Sequence, residues 1–125
     1  MHDREIVLGL FSQILEAGEI ALHRFEPICS PEDFKATDAG REKLDAICLP
    51  LIAIGDNLKR IERITDGKIL ARYPDVEWAG AMAARNRIVH GYFDVDAVIV
   101  FDICKHYLPD LLSTVRTAIN DLESE

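Results

Sequence analysis

The chain has 125 residues, of which 49% are hydrophobic and 29% charged, and its formal net charge is −8. A chain of this length forms one domain with a buried core, and this composition excludes an intrinsically disordered chain. The acidic balance excludes a protein that coats nucleic acid nonspecifically, because such binding depends on many Lys and Arg side chains. We therefore expect one globular domain over residues 1–125, in which any site for nucleic acid is local.

The longest nearly apolar run extends from Ala46 to Gly55 and is interrupted by Pro50. It is much shorter than the roughly 20 residues that a membrane crossing requires. The first residues also lack the basic-then-apolar order of a secretion signal, so we expect a cytoplasmic protein.

The three cysteines, Cys29, Cys48 and Cys104, are widely spaced and odd in number. This arrangement predicts buried thiols rather than a disulfide framework or a metal site. We expect no metal and no cofactor.

An apolar stripe predicts an amphipathic helix over residues 3–24. A second stripe of leucines seven residues apart, Leu8, Leu15 and Leu22, favours burial of this helix on two sides, by the bundle and by a partner subunit. Ser30 and Pro31 then predict a capped helix start for a short segment that ends near Thr37.

A second long helix is predicted over residues 39–65, closed by Asp66 and Gly67. Pro50 lies inside it, so we expect either a kink or a split into two helices. A third helix is expected to begin near Asp75 or Val76, to run through Val89, and to end at Gly91 in a left-handed cap.

The apolar residues 97–101 would suit a buried strand or a helix. We favour a helix, because Asp96 is a good N-cap and no second strand-like run exists to pair with it. The apolar stripe continues to Leu122, with a bend expected at Pro109. The chain is therefore predicted to be all-α, an up-down helical bundle of four principal helices plus short helical segments.

The most informative motif lies at the end of the third predicted helix, where Arg85, Asn86, His90 and Tyr92 fall within eight residues. A guanidinium can hold a phosphodiester, and an imidazole can transfer protons near neutral pH. The other interpretation makes His90 a helix C-cap residue, Arg85 and Arg87 surface charges, and Tyr92 a packed ring. A lone His near a Gly would favour that second interpretation, whereas the whole motif favours phosphate chemistry.

If residues 76–90 are helical, Asn86 lies one turn below His90 and can orient the imidazole, with Arg87 beside the pair. Arg85 is five residues from His90, about 140° around an ideal helix. It would reach the same phosphate with its side chain extended, and a site shared between two copies of the chain would ease this. A symmetric homodimer supplies such a site.

The motif, an Arg followed after four residues by His and then by Tyr after one more, resembles the signature of the HEPN ribonuclease toxins of the HepT group. The acidic turn that follows, at Asp94 and Asp96, is also similar to that family. The resemblance implies an HEPN-like fold and a metal-independent endoribonuclease, in which His90 deprotonates a ribose 2′-hydroxyl and Arg85 stabilises the phosphoryl charge. Candidate substrates are tRNA and mRNA.

The resemblance also implies a toxin-antitoxin pair. Its partner would be a minimal nucleotidyltransferase antitoxin, similar to MntA, that transfers AMP to Tyr92. An attached AMP would add phosphate charge to the RNA site and fill it. The alternative is a noncatalytic helical partner of a nucleotidyltransferase, in which Arg85 and His90 hold a nucleotide phosphate without cleaving RNA.

A second feature of the family is an acid followed after three residues by Lys or Arg, and here Asp56 and Arg60 occupy those positions, with Asp in place of the preferred Glu. On the family interpretation, both support the catalytic groups or the RNA backbone. The alternative is a helical ion pair between them, worth about 0.3 to 0.5 kcal/mol. Lys59 and Arg87 belong to the same basic central part of the chain, and both are candidate RNA contacts or solvated charges.

Overall fold

The computed structural model of the protein describes residues 2–90 and 94–125, and it is almost entirely helical. The helices are α1 (His2–Phe25), α2 (Asp38–Thr65), α3 (Trp78–Met82), α4 (Ala84–Ile88), α5 (Ala97–Asp102) and α6 (Leu108–Glu123). Two 3₁₀ turns, Pro31–Phe34 and Leu70–Arg72, and a π-helical turn, Ile103–Tyr107, join them. Over the described ranges no strand is present, and the predicted all-α bundle is confirmed.

Hydrogen bonds show that α1 runs antiparallel to α2 and to α6. The Asn57 side chain donates to Gln13 at 3.0 Å, and the Arg24 guanidinium donates to the carbonyl of Ala46 at the other end of the pair. The first turn of α1 likewise contacts the last turn of α6 through a 2.7 Å side-chain hydrogen bond. Up-down packing of this kind buries one apolar stripe from each helix in a common core.

The predicted first helix is confirmed, and its main stripe forms the centre of the core. The fully buried side chains of α1 include Phe11 and Ile14, while the leucines of its second stripe are partly buried against the same core. By length and apolarity alone, Asp3–Phe25 could cross a membrane, with a mean hydropathy of 1.3 in its most apolar window. The core helix of a bundle meets the same criterion, and the main stripe of this helix is buried in the core.

Helix α2 is continuous from Asp38 to Thr65, so of the two outcomes predicted at Pro50, a kink or a split, the split does not occur. Pro50 is buried, and apolar residues on both sides of it pack into the core, which holds the two halves in one helix. The predicted end is confirmed. Asp66 and Gly67 have φ angles of 56° and 75°, the left-handed conformation that stops a helix.

The predicted third helix is wrong in its continuity. The chain forms α3, breaks at Ala83 with φ −87° and ψ 5°, and resumes as α4. It ends at Ile88 rather than near Gly91, which lies outside the described residues. Val89 is extended and forms an isolated antiparallel bridge with Val95. Its N–H still donates to the Arg85 carbonyl at 3.1 Å, and the next backbone bond, from the His90 N–H, crosses the chain reversal to Asp94.

The fourth helical stretch confirms the choice of helix over strand for residues 97–101. The Asp96 side chain caps α5 by accepting from the Ile99 N–H at 3.0 Å. Pro109 lies in the first turn of α6, directly after the π-helical turn Ile103–Tyr107. A missing backbone N–H is tolerated at that position, so the helical stretch continues past the proline.

The cysteine prediction is correct at two positions of three. Cys48 and Cys104 are buried, whereas Cys29 is exposed. Burial raises the pKa of the Cys48 thiol to about 11 and that of Cys104 to about 12. These two thiols therefore remain protonated at neutral pH and pack as small apolar groups.

Helices α2 and α3 approach each other closely at Gly55. A Cβ atom placed on this buried glycine would collide with the carbonyl oxygen of Ala81. Asp56 follows Gly55 directly, and Arg85 lies four residues after Ala81, at the start of α4 beyond the break at Ala83. The close crossing therefore sets the distance between these two side chains.

We expect Gly55→Ala to lower the free energy of unfolding by about 1 to 3 kcal/mol, because the added methyl group must push the α3 backbone away. Gly9 offers a matched control, since it is also inside a helix but nothing lies within 4 Å of the position that an added Cβ atom would take. Gly9→Ala is expected to stabilise the protein by roughly 0.5 to 1 kcal/mol. Urea denaturation followed by circular dichroism measures both. Equal effects of the two substitutions would contradict the close crossing.

Candidate active site

The candidate site lies where α4 ends and the chain turns back toward α5. His90 stands two residues beyond the last residue of α4. Its backbone N–H donates to the Asp94 carbonyl at 2.8 Å, and the Asp96 N–H donates to the Ile88 carbonyl at 2.8 Å. These two bonds flank the bridge between Val89 and Val95. They fix the backbone on both sides of residues 91–93, which are outside the described ranges.

The imidazole of His90 has a carboxylate partner. Its Nε2 atom lies 3.2 Å from Asp96 Oδ2, while the other oxygen of the same carboxylate caps α5. The His90 side chain is 45% exposed and that of Asp96 is 28% exposed. Asp96 therefore orients the imidazole from a rigid helix start and leaves part of the ring open to solvent.

The protonation of this pair follows from the environment of Asp96. The hydrogen bond from the Ile99 N–H lowers the pKa of Asp96, the contact with His90 lowers it further, and partial burial opposes both effects. At neutral pH the carboxylate is ionised and can only accept hydrogen bonds. An Nε2–H of His90 can therefore donate to Asp96, and in that tautomer Nδ1 is the basic atom of the ring.

Arg85 is held by an acid from another helix. Its guanidinium lies 3.2 Å from Asp56 Oδ2 on α2, with side-chain exposures of 59% and 49%. The Asp56 carboxylate therefore pairs with the motif arginine, and its functional role stays a prediction. No ion pair between Asp56 and Arg60 is present in the described part of the chain. A half-exposed pair positions a side chain but adds little stability.

The side chains of Arg85 and Arg87 lie on different parts of the surface. Arg87 lines a small crevice with Gly80 and Tyr107, on the side of α3 and the π-helical turn. Its charge lowers the pKa of the Tyr107 hydroxyl, although burial is the larger effect and raises that pKa to about 12. Arg85, in contrast, reaches α2. The structure thus brings Arg85 and Asp56 together and separates Arg87 from them.

The helical relation predicted between Asn86 and His90 is wrong, because α4 ends at Ile88 and Val89 is extended. Across residues 2–90 and 94–125, no hydrogen bond joins the Asn86 side chain to His90. Asn86 is exposed on α4, and Lys59 and Arg60 are exposed on α2. Their roles stay predictions. Tyr92 lies outside the described residues.

Asp96 is the candidate site residue that sequence reasoning missed, because its position predicts only a helix cap. The acidic turn after the motif is visible in the sequence, but the predicted imidazole partner is Asn86, on a helix that does not extend that far. Three or more His, Cys, Asp or Glu side chains grouped to hold a metal ion are not found in the described ranges.

Asp96→Asn tests the orienting role, because asparagine retains the helix cap while losing the charge. We expect RNA cleavage to fall by between about tenfold and about 10⁴-fold, the larger figure being the cost of the same change in serine proteases. Nitrogen NMR of the imidazole is expected to show one dominant tautomer in the wild type and a mixture in the variant. An unchanged cleavage rate and tautomer would contradict the role.

The same substitution has a predicted pH signature in stability. A lowered pKa means that the charged Asp96 stabilises the fold above its ordinary value of 3.8, and that this contribution disappears as the pH falls through the folded-state pKa. The difference in free energy of unfolding between wild type and Asp96→Asn is therefore expected to shrink below about pH 4, which acid titration of both proteins measures.

Comparison with known proteins assigns the family. The model of the family described as "Ribonuclease HepT-like" matches residues 18–118, which include every candidate site residue. The chain belongs to this family. The resemblance stated from the sequence motif is thereby confirmed as membership of the HepT-like ribonuclease family.

Three proteins of Methanocaldococcus jannaschii, each named "Putative RNase", are similar to this HepT-like chain. Two are 28% identical and one is 26% identical, in each case over 80 residues that make up 64% of this chain. The matched regions cover 63%, 66% and 63% of the relatives, so the chain spans less than two thirds of their length. No solved structure matches the chain.

Proposed function

We propose that this HepT-like protein is a metal-independent endoribonuclease. The observation that carries the proposal is the pairing of His90 with an ionised Asp96 at the end of the helix that presents Arg85. An oriented imidazole and a positioned guanidinium suit cleavage of RNA by its own 2′-hydroxyl. The names of the family and of the relatives are consistent with this chemistry.

In the proposed reaction, Nδ1 of His90 takes the proton of a ribose 2′-hydroxyl. The 2′-oxygen then attacks the neighbouring phosphorus, and the bond to the 5′-oxygen of the next nucleotide breaks. That oxygen takes up a proton from solvent, to which the imidazolium returns the proton that it removed, and the other product ends in a 2′,3′-cyclic phosphate. Arg85 stabilises the charge that develops on the phosphoryl oxygens. Asp96 stabilises the imidazolium, and Asp56 keeps Arg85 extended.

We infer that the active form is a homodimer. Leu49 is 72% exposed and lies two helical turns before Asp56, on the same face of α2. Val98 at the start of α5 is 55% exposed, and Val89, next to His90, is 36% exposed. A second copy that covered these apolar side chains would place its own Arg85 and His90 near the first pair. Asn86, Lys59 and Arg60 are then candidate RNA contacts in the shared cleft.

We further propose that the protein acts in the cytoplasm as the toxin of a toxin-antitoxin pair, and that a minimal nucleotidyltransferase neutralises it by transferring AMP to Tyr92. The sequence supports this role of Tyr92, because its hydroxyl is two residues from His90 and an attached phosphate would compete with RNA for Arg85. The transfer joins the phenolic oxygen to the α-phosphorus of ATP and releases pyrophosphate.

Expression in a bacterial host tests the toxin role. The wild type expressed alone is expected to arrest growth, and coexpression of a cognate nucleotidyltransferase is expected to relieve the arrest. Tyr92→Phe keeps the ring and removes the acceptor oxygen, so this variant should arrest growth with or without the nucleotidyltransferase. Normal neutralisation of Tyr92→Phe would reject the modification at this residue. Mass spectrometry of the coexpressed wild type checks for the added AMP.

A further inference from the structure

A cleft of about 500 Å³ opens beside the segment that holds His90. One wall consists of Asp94, Val95 and Ala97, and the other consists of the end of the 3₁₀ turn, at Phe34 and Lys35, with the first turns of α2. The carbonyl of Asp94 accepts the hydrogen bond from the His90 backbone. The cleft therefore begins where the candidate active site ends, and we call it the flanking cleft.

The floor of the flanking cleft is apolar and firmly packed. Phe34 has no exposed surface, and Leu44 and Ala97 are also buried. The Phe34 ring packs against Phe25 with ring centroids 6.4 Å apart. At Gly40, the start of α2 lies so close to the 3₁₀ turn that a Cβ atom would collide with the turn backbone. The cleft is therefore a preformed feature of the fold.

Two cations and two carboxylates surround this floor, namely Lys35, Arg41, Asp45 and Asp94. Arg41 has one long ion-pair contact, 3.4 Å to Asp38, and both side chains are largely exposed, at 66% and 94%. Such a contact is weak and can be exchanged for a phosphate. Cations suit a phosphate, while carboxylates accept hydrogen bonds from ribose hydroxyls. This mixture of charges fits a ribonucleotide better than a simple anion.

We propose that the flanking cleft binds the nucleotide adjacent to the scissile phosphate of a single-stranded RNA. Lys35 and Arg41 contact the phosphate of this nucleotide, and Asp94 and Asp45 accept hydrogen bonds from its ribose. The inference rests on the proposed function, because it places the RNA strand across His90. The size of the flanking cleft suits one nucleotide, since small-molecule sites commonly enclose about 300 to 1,000 Å³.

The test measures binding separately from cleavage. A fluorescein-labelled single-stranded RNA of about 12 nucleotides is titrated with protein in the His90→Ala background, and anisotropy is recorded over a range of salt concentrations. The cleft variant carries Lys35→Gln with Arg41→Gln. Its control carries Lys105→Gln with Arg116→Gln, two exposed cations outside the cleft. Circular dichroism verifies that all the proteins are folded.

We expect the cleft variant to bind RNA more weakly and with a flatter salt dependence, since each lost phosphate contact reduces the slope of log K against log salt by about 0.7 for a single strand. Asp94→Ala keeps the backbone bond to His90 and removes the carboxylate. It is expected to narrow the preference for RNA over DNA of the same sequence.

Equal RNA affinities and salt slopes in the cleft variant and in the His90→Ala parent would overturn the proposal. Equal losses of RNA affinity in the cleft variant and in the control variant would also overturn it. Either result applies whether or not the wild type cleaves RNA. If the salt slope falls in the cleft variant but the wild type does not cleave RNA, the proposed nuclease activity is rejected. The flanking cleft is then retained as an RNA site.

Discussion

Replacing His90 by alanine is expected to reduce RNA cleavage by roughly 10²- to 10⁴-fold, which is the usual contribution of a general acid-base group. The reason is that Nδ1 is the basic atom left free by the contact of Nε2 with Asp96. The measurement is the rate of cleavage of a labelled RNA by purified protein. In cells, the same substitution should abolish growth arrest.

His106 provides a matched control for this substitution. It is an exposed histidine on the π-helical turn, outside the candidate site. His106→Ala is expected to cleave RNA at the rate of the wild type. Because the His90 side chain is 45% exposed, its removal leaves no cavity in the core, and thermal denaturation should show a folded protein. Full activity of folded His90→Ala would remove the proposed mechanism.

Arg85→Gln is expected to reduce cleavage by about 10²- to 10³-fold, the typical cost of losing one group that stabilises transition-state charge. The stability of the protein should change little, because the ion pair with Asp56 is half-exposed and such pairs contribute about 0 to 1 kcal/mol. Cleavage rates and urea denaturation of the same preparations separate these two effects.

Arg87→Gln removes the same charge two residues away and is the control. Its side chain lies beside Gly80 and Tyr107 rather than at the pair of Arg85 with Asp56. We expect a cleavage rate close to that of the wild type, because this side chain lies away from Arg85 and Asp56. Equal losses of cleavage rate from Arg85→Gln and Arg87→Gln would show that the total positive charge matters and the position of the Arg85 guanidinium does not.

The long helices were predictable from the sequence because their apolar stripes have a helical period, and that period determines which face enters the core. The end of α2 was predictable as well, since Asp66 and Gly67 supply the left-handed residues that stop a helix. The effect of Pro50 on α2 was not predictable from the sequence. A proline removes one hydrogen bond, but the decision between a split and a continuous helix depends on packing against other helices.

The candidate site was predictable in its residue types but not in its partners. The spacing of Arg85 and His90 identified the motif, whereas local periodicity contains no information about contacts between distant segments. Asp56 precedes Arg85 by 29 positions, and their contact depends on the close crossing at Gly55. Asp96 reaches His90 only because the chain reverses through the bridge of Val89 with Val95. That bridge ends the helix that the sequence pattern predicts to continue.

The most direct measurement is cleavage of total cellular RNA and of tRNA by the purified protein in excess chelator, with the wild type beside His90→Ala and with the product ends analysed. The proposed function predicts 2′,3′-cyclic phosphate ends from the wild type and none from the variant. No cleavage by wild-type protein that is folded and unmodified at Tyr92 would contradict it, and would favour a noncatalytic partner of a nucleotidyltransferase instead.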